Sequence, residues 1–418
     1  MEEIQVVADW MKHPIVMGIL RGEQLRGKEV FSFSYSKEWL SSGNIQVMDP
    51  DLYFFAGPQY LSAEKPNFGL FLDSAPDRWG RMLMDRREAL VARQEQRSPR
   101  LLFESDYLLG VQDEGRMGGL RLRMGNDKPF LANEPEFKAP PFAMIRDMEQ
   151  ASLFIEDENF FSDKYALKWL SLLIAPGSSL GGARPKANVR DQKGDLWIAK
   201  FPSRYDAFDS GAWEYLVYEL AKDSDIRVSS AEARIFSGRQ HTYLVQRFDR
   251  DHGDKRIHFS SAMTLLGHRD GHDYQSGATY LELVEWLEMY GSKPTDDIRQ
   301  LWQRIVFSVL VSNTDDHLRN HGFILTNHGW RLSPAYDLNP NPRGTGLSLN
   351  ISELDNSLSL DLCLDVAPYF RWKKDEAHAY IKQTCKVVSQ WGAKAIAIGI
   401  SRSECELMAS AFSLANEY

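Results

Sequence analysis

Residues 313–320 read NTDDHLRN, and this stretch decides how the rest of the chain is interpreted. It follows a segment in which Leu301, Ile305 and Val309 recur at helical spacing, so the polar loop is predicted to spring from a rigid helix. Asp315 and Asn320 lie five residues apart, the separation of the proton-accepting Asp and the metal-binding Asn in a kinase catalytic loop. Taken alone, the same residues would also suit an ordinary turn network.

A further carboxylate follows in the stretch SPAYD at 333–337. Asp337 occupies the place of the metal-binding Asp of kinases, and Asn320 and Asp337 both offer the hard oxygen ligands that Mg²⁺ prefers. Asp315 would accept the proton of a substrate hydroxyl. His317 has no second His or Cys at ligand spacing nearby, so an orienting or nucleotide-contacting role is the better interpretation.

A glycine-rich stretch, GSSLGGARPK at 177–186, precedes these motifs. Glycines let backbone N–H groups approach phosphate oxygens closely, and Arg184 and Lys186 would add positive charge. No Gly-Lys-Ser/Thr follows, so the stretch is not a Walker A loop. An ordinary surface loop is the alternative interpretation.

Lys200 lies in the apolar segment LWIAKF at 196–201 and resembles the kinase lysine that holds the α- and β-phosphates. A solvent-facing lysine on an edge strand is the alternative. Glu214 or Glu219 on the next helix could pair with Lys200, and the sequence leaves that choice open. The segment YLVQRFD at 243–249 stands where a kinase hinge would be, although an ordinary core strand fits equally well.

The bulk properties restrict the class of protein. The 418 residues suggest two or three domains, and the net charge of −9 argues against DNA binding through one broad basic face. Three cysteines without a CxxC pair argue against both a disulfide framework and a zinc site. The N-terminus lacks an apolar segment and no apolar run approaches a membrane span, so no membrane association and a cytoplasmic location are predicted.

The pattern of elements predicts a mixed α+β chain. Strands at 15–20, 30–35 and 116–123 with a helix at 76–95 form a first unit over 1–125, and a proline-rich linker over 126–142 follows. Residues 143–250 hold a helix, a hairpin at 187–190 and 195–201, a helix at 211–222 and two more strands. Residues 251–418 are mostly helical, and Ser401 with Glu404 predicts a capping box for a final helix.

Several stretches together resemble the HipA family of bacterial kinase toxins. They are FGLFLDSAPDRWGRMLMDRRE at 68–88, GGARPKA at 181–187, WIAKFP at 197–202, YLVQRFDR at 243–250, NTDDHLRN at 313–320 and LSPAYDLNP at 332–340. The resemblance implies an α+β fold with a bilobal protein-kinase-like core, related to the PI3/4-kinase fold. A small N-terminal subdomain precedes this core, and its C-terminal lobe is mostly helical. On that basis 143–250 is the N-lobe-like region and 251–418 the C-lobe.

The resemblance also implies an activity. HipA-like proteins phosphorylate serine or threonine on a protein substrate with ATP and Mg²⁺, and their targets include aminoacyl-tRNA synthetases. They inhibit growth and promote persistence. A helix-turn-helix antitoxin of the HipB type binds them and represses the operon, so DNA would be contacted mainly through that partner.

Site residues carry over from the family by motif. Asp315 would be the proton acceptor, Asn320 and Asp337 would bind the metal, and Ser179, with Ser178 adjacent, would be autophosphorylated. The family commonly has Gln in place of Arg184, so the extra cation could bind ATP or tether a phosphorylated Ser179. The residues implied to bind ATP are Gly181, Gly182, Ala183, Arg184, Pro185, Lys186, Lys200, Gln246, Arg247, Phe248, His317, Leu318, Arg319, Asn320, Tyr336 and Asp337.

Two other functions fit parts of this pattern. A small-molecule phosphotransferase on a kinase-like fold would use the same Asp315, Asn320 and Asp337, but it would give residues 1–125 no role. A pseudokinase that serves as co-repressor or scaffold would bind ATP without turnover, and the presence of every expected catalytic residue argues against it.

Overall fold

The computed structural model describes residues 2–43, 46–61, 65–125, 128–132, 139–163, 165–177, 182–251 and 253–417, with only the backbone of residues 2 and 175–177. The chain divides into two compact units. Unit 1 comprises residues 1–205 and 235–260, and unit 2 comprises residues 206–234 and 261–418. Within the described ranges, every helix is too short or too polar to span a lipid bilayer.

The first part of unit 1 is built on a five-stranded antiparallel sheet in the order β4-β3-β2-β1-β5. Phe31, Phe33 and Tyr35 are buried in alternation along β3, as the sequence pattern predicts for a strand with one face in the core. The elements are β1 (Glu2–Ala8), β2 (Ile15–Leu25), β3 (Lys28–Tyr35), α1 (Lys37–Ser41), β4 (Gln59–Tyr60), α2 (Gly69–Leu72), α3 (Arg78–Gln94), α4 (Glu104–Gly110) and β5 (Leu120–Arg123).

The predicted strand at 116–123 starts four residues too early. Residues 116–119 form a turn in which Gly118 adopts a positive φ of 73°. The amide of Gly118 donates to the Asp249 carboxylate at 2.7 Å, a contact with a residue 131 positions later in the chain. A long-range hydrogen bond of this kind leaves no periodic signal in the local sequence, so pattern alone could not place the strand start.

The second part of unit 1 contains α5 (Ile145–Ile155), α6 (Ala166–Gly177), β6 (Lys186–Arg190) and β7 (Leu196–Lys200). β8 (Ala231–Arg234) follows in the part of the chain that belongs to unit 2, and β9 (Thr242–Gln246) returns to unit 1. β7 pairs antiparallel with both β6 and β9, which confirms the predicted hairpin. Trp79 of α3 packs in one apolar cluster with Ile145 and Leu170 of the two helices and Ala187 and Ala199 of the strands.

Unit 2 is mainly helical. Its long helix α10 (Pro294–Leu310) begins at a proline, has Asp296 and Asp297 in its first turn, and buries Leu301 and Ile305. The helical periodicity predicted from the sequence is therefore confirmed. β10 (Phe259–Ser261) lies where the chain enters unit 2. The elements are α7 (Ser210–Asp223), α8 (Ala262–Leu265), α9 (Tyr280–Tyr290), α10 (Pro294–Leu310), β11 (Gly322–Thr326), β12 (Gly329–Leu332), α11 (Leu360–Val366), α12 (Lys374–Val388), α13 (Trp391–Ile398) and α14 (Arg402–Met408).

Two local features of unit 2 depart from the sequence interpretation. The antiparallel hairpin β11–β12 stands inside the region whose pattern is mostly helical. The predicted capping box of α14 is only half present: the Ser401 hydroxyl accepts from the Glu404 amide at 3.2 Å. The Glu404 carboxylate instead accepts from the Asp209 amide and the Trp213 indole N–H at 3.1 and 3.0 Å, because tertiary partners replace the local one.

Candidate active site

The loop 313–320 of unit 2 is anchored by its first residue. Asn313 is buried where α10 ends, and its amide nitrogen donates to the Ser308 hydroxyl at 3.3 Å. Its side-chain oxygen accepts from the Asn339 backbone amide at 3.1 Å. One buried side chain therefore ties the loop 313–320 to the segment that contains Asp337.

The adjacent residues Asp315 and Asp316 have opposite environments. The Asp315 side chain is 83% exposed, and one of its oxygens lies 3.9 Å from His317 Nε2. Asp316 is buried, where it accepts from the Tyr280 hydroxyl at 2.5 Å and pairs with His321 Nε2 at 2.9 Å. Burial alone would raise the pKa of Asp316, but His321 and Tyr280 hold this pKa below its usual value. The buried Asp316 anchors the loop through Tyr280 and His321, whereas the Asp315 carboxylate is accessible from solvent.

Asn320 closes the loop onto Asp315. Its amide nitrogen donates to the Asp315 backbone carbonyl at 2.7 Å, across a short 3-10 turn over Leu318–Asn320. The assigned orientation leaves the amide oxygen as the atom of this side chain that can bind a cation. Leu318 is buried, so its side chain anchors the turn and is unsuited to a polar contact with a nucleotide.

Asp337 lies in a backbone conformation that few non-glycine residues adopt, with φ of +57°. The segment before it is pinned on both sides, since the Ala335 amide donates to the Arg227 carbonyl at 2.7 Å and the Tyr336 hydroxyl donates to the Arg319 carbonyl at 2.8 Å. The hydrogen bonds of the preceding residues thus hold Asp337 in a left-handed backbone conformation. Local backbone strain of this kind concentrates at functional sites.

The donor set of unit 2 fits Mg²⁺. Asn320 and Asp337 supply an amide oxygen and a carboxylate, and Mg²⁺ is commonly held by one or two protein oxygens together with waters and substrate phosphates. Within the described ranges, no three His, Cys, Asp or Glu side chains lie close enough to hold a metal ion by themselves. A magnesium site of the kinase type does not need such a cluster.

The glycine-rich loop in unit 1 is described from Gly182 onward; Ser178, Ser179 and Gly181 lie outside the described residues. Gly182 has φ of +81°, and a Cβ at this position would lie 2.8 Å from Lys186 Nζ, so the position requires glycine. Arg184 Nε donates to the Phe201 carbonyl at 3.2 Å, and the Phe201 amide donates to the Pro185 carbonyl at 2.8 Å. These bonds place the loop at the end of β7.

Two lysines stand opposite each other at this end of the sheet. Lys186 of β6 and Lys200 of β7 are register partners, and Lys200 Nζ lies 5.8 Å from the ring centre of Tyr243, its partner on β9. Directly opposed residues of an antiparallel pair share a face, and like charges there repel. Lys186 is only 6% exposed. Two cationic side chains on one face of a sheet can bind an anion such as a phosphate.

The hinge-like strand β9 is held at both ends. Thr242 donates to the buried Glu149 carboxylate at 2.6 Å, and Gln246 Nε2 donates to Asp195 at 3.1 Å. The Arg247 amide donates to the Leu196 carbonyl at 2.9 Å. The Arg247 side chain is buried and pairs with Asp249 through two hydrogen bonds of 2.8 and 2.6 Å, so it supports the strand end. The contact of Arg247 with adenine stays a prediction.

The structure groups the predicted residues within each unit. Asp315, His317, Asn320 and Tyr336 share one loop system, and Lys186 and Lys200 share one sheet end. Sequence reasoning missed the residues that support them, because their role lies in tertiary hydrogen bonds that leave no sequence pattern; these are Asp77, Trp79, Tyr280, Asn313, Asp316 and His321. Glu214 is buried and Glu219 half-buried, and the choice between them as partner of Lys200 stays open.

Comparison with known proteins places the chain in a family. A family model described as the HipA-like C-terminal domain matches residues 178–391, just over half of the 418 residues. The serine/threonine-protein kinase toxin HipA of Shewanella oneidensis is 27% identical over 191 residues, which cover 39% of this chain and 43% of that protein. A Haemophilus influenzae protein named "Putative kinase" is 24% identical over 180 residues, 38% of this chain and 52% of that protein. The chain thus spans about half the length of these relatives, or less.

A solved structure extends the likeness to the whole fold. A chain of the Shewanella oneidensis complex of HipA, HipB and operator DNA superposes with a TM-score of 0.68. The superposition covers 99% of this chain and 97% of that chain at 17% identity, a level that shows a shared fold. The α+β, kinase-like fold predicted from the sequence is therefore confirmed. With its family model matched over more than half of its residues, this chain belongs to the HipA-like family.

Proposed function

We propose that this protein is a Mg-ATP-dependent serine/threonine protein kinase that acts as a HipA-type toxin. The observation that carries the proposal is the contrast between Asp315 and Asp316. The exposed carboxylate of Asp315 can accept the proton of an incoming hydroxyl, and the buried Asp316 holds the loop still while it does so. Phosphoryl transfer depends mainly on positioning and electrostatics, and this loop provides positioning.

The other residues are assigned by their chemistry. Lys186 and Lys200 would neutralise the phosphates of ATP, and Asn320 and Asp337 would hold Mg²⁺. Bound Mg²⁺ would screen the charge of the transferred phosphoryl group. Gln246, Arg247 and Phe248 would contact adenine, Arg247 through its backbone because its side chain pairs with Asp249. Residues 1–125, 126–142, 143–250 and 251–418 remain our proposed division into subdomain, linker, N-lobe and C-lobe.

We also propose how the protein is regulated and which molecules it binds. Autophosphorylation of Ser179 or Ser178 would place a doubly charged group near Arg184 and Lys186, which would form charge-assisted hydrogen bonds and draw the loop away from ATP. A HipB-type antitoxin would bind the protein and contact DNA, and the substrate would be a cytoplasmic protein such as an aminoacyl-tRNA synthetase. The Shewanella oneidensis relative, solved with HipB and operator DNA, supports the choice of partner.

The test is incubation of the purified protein with radiolabelled ATP and Mg²⁺, followed by mass spectrometry of the labelled peptides. Asp315→Asn removes the proposed base, and Asp375→Asn, an exposed carboxylate of unit 2, is the matched control. We expect label on a serine of the 178–179 pair in the wild type and in the control, and none in Asp315→Asn. ATP binding without any label in the wild type would favour the pseudokinase, and label on an added sugar or aminoglycoside would favour the small-molecule phosphotransferase.

A further inference from the structure

The first turn of helix α3 holds residues 182–186, the described part of the glycine-rich loop, at its first and last residues. The Asp77 carboxylate accepts from the Gly182 amide at 2.6 Å, and the Trp79 amide donates to the Gly182 carbonyl at 3.2 Å. At the other end of the loop, the Trp79 indole N–H donates to the Lys186 carbonyl at 2.9 Å. Three hydrogen bonds thus connect residues 77–79 with a segment about a hundred positions later in the chain.

The two carboxylate oxygens of Asp77 accept hydrogen bonds from different parts of the chain. Oδ1 accepts from the Arg78 amide at 2.8 Å and caps the helix, and Oδ2 accepts from Gly182. A bond of 2.6 Å to a carboxylate is of the charge-assisted kind, which is roughly twice as strong as a neutral hydrogen bond. The geometry therefore combines a helix cap with a tether in one side chain.

The tether acts on a glycine that is itself constrained. Gly182 holds φ of +81° and lies close to Lys186 Nζ, so the Gly182 amide and the Lys186 side chain belong to one small structure. Trp79 is only 2% exposed and packs with Ala187 and Ala199 of the two strands that carry the lysines. Helix α3 is thus a rigid support on which the phosphate-side loop is mounted.

We infer that Asp77 is a positioning residue for the nucleotide loop, and that residues 1–125 contribute through it to ATP binding. This inference rests on the proposed function, since it takes the loop 182–186 as the part of the protein that contacts ATP phosphates. Donors held in place before the ligand arrives cost no ordering free energy on binding, so a fixed loop binds more tightly than a free one. The N-terminal region then has a role in the reaction that its distance in sequence conceals.

The experiment separates the cap from the tether. Asp77→Ser keeps one oxygen, and serine is as good a helix cap as aspartate, so α3 stays capped while Gly182 loses its acceptor. Asp77→Asn keeps an acceptor of the same length, and Trp79→Phe removes only the bond to the Lys186 carbonyl. Asp85→Ser is the matched control, because Asp85 lies on the same helix and bonds the Tyr107 hydroxyl at 2.6 Å.

Two measurements are made on each variant. Hydrogen exchange of the peptide covering 182–186, in the nucleotide-free protein, reports directly on whether the hydrogen bond from the Gly182 amide to Asp77 is present. Steady-state kinetics then give KM for ATP and kcat. For Asp77→Ser we expect faster exchange at 182–186 and a KM for ATP about tenfold higher, the size that loss of one charge-assisted hydrogen bond supports, with kcat and melting temperature close to wild type. Asp77→Asn and Trp79→Phe should raise KM less, and Asp85→Ser should leave KM and exchange unchanged.

Unchanged exchange at 182–186 in Asp77→Ser would overturn the inference, as would a fall in melting temperature with kcat and KM following it together. A wild-type protein that binds no ATP would instead refute the proposed function. The exchange measurement would still decide whether Asp77 positions the loop, so the two failures are distinguishable.

Discussion

The two units bury charge in different ways. In unit 1 the Asp249 carboxylate, 1% exposed, is neutralised by the guanidinium groups of Arg247 and Arg250 at 2.6 and 2.7 Å. In unit 2 the buried Asp316 carboxylate lies 2.9 Å from the His321 imidazole and accepts a hydrogen bond from the Tyr280 hydroxyl. Arginine stays protonated at every pH at which proteins fold, so the ion pairs of unit 1 carry permanent positive charge.

The partners of the two buried carboxylates differ, and each carboxylate supports a different segment of the candidate site. Burial raises the pKa of Asp249, but Arg247 and Arg250 outweigh burial and hold this pKa far below its usual value, so these ion pairs keep their charges at neutral and mildly acidic pH. The buried carboxylate under the loop 313–320 is held instead by an imidazole and a hydroxyl. The comparison shows that unit 1 supports its hinge-like strand with guanidinium groups, whereas unit 2 supports the candidate catalytic loop with weaker polar partners.

The largest expected effect is that of replacing Asp315, the exposed member of the Asp315–Asp316 pair in unit 2. Asp315→Asn should lower the rate of phosphoryl transfer about 10³-fold, the range of one general base, and leave the melting temperature unchanged because the side chain is exposed. Single-turnover labelling and thermal unfolding measure the two quantities. Retained activity in Asp315→Asn would remove this residue from the chemistry.

The next effect tests the buried network of unit 1. Asp249→Asn leaves Arg247 and Arg250 buried without their carboxylate, and we expect a loss of about 4 kcal/mol in the free energy of unfolding. Denaturant titration measures it. Asp251→Asn, two residues away and exposed, is the control and should change this free energy by less than about 0.5 kcal/mol. Equal effects of the two variants would contradict the assigned role of the network.

Asp316 should matter for stability in the way that Asp315 matters for rate. Asp316→Asn weakens the contacts with His321 and Tyr280, and we expect a loss of about 3 kcal/mol in the free energy of unfolding. Because the pKa of Asp316 is lowered on folding, its stabilisation is present above the ordinary pKa of about 4 and is lost as pH falls below it. The variant should therefore show a shallower loss of stability under acid, and an unchanged acid profile would speak against the pair.

His258 is a buried titratable group of unit 1 whose protonation opposes folding. It is buried and stacks on Trp10 with ring centres 4.3 Å apart, and burial lowers the pKa of His258 to about 3. The unfolded chain binds the proton more readily, so stability falls as pH drops below about 6.5, by about 2 kcal/mol between pH 6.5 and 5.

The variant His258→Phe keeps the stacked ring and should remove this slope from denaturant titrations at several pH values. His328→Gln, an exposed histidine, should keep the slope. If the wild type and His258→Phe lose stability in parallel, the acid sensitivity of the protein lies elsewhere.

The smallest expected effect concerns one uncharged hydrogen bond at the surface, and it gives a reference against which the loss of the buried charged contacts can be compared. Ser401→Ala removes the cap of α14, and we expect a loss of about 1 kcal/mol in the free energy of unfolding. Ser401→Asn, another good cap, should restore most of it. A loss as large as that of Asp316→Asn would show that the cap has a wider role.

The sequence alone named the residues of the candidate site. Asp315, Asn320 and Asp337 were predicted from residue type and spacing, because the proton acceptor and the two oxygen ligands of a kinase recur at set distances along the chain. Their roles stay predictions. The periodic helices, the hairpin of β6 and β7, and the mixed α+β character followed from local pattern, which is a short-range property that a sequence displays directly. The kinase-like core was implied by the family resemblance.

Tertiary structure decided how those residues are supported. Nothing in the dipeptide Asp315-Asp316 tells which carboxylate is buried, and only the approach of Tyr280 and His321 separates them. In the same way, Asp77 reaches Gly182 because packing of Trp79 brings α3 to the loop. Such contacts join residues far apart in the chain, so they depend on the folded arrangement and leave no periodic trace: the sequence determined which groups can do the chemistry, and the packing determined which are exposed to do it.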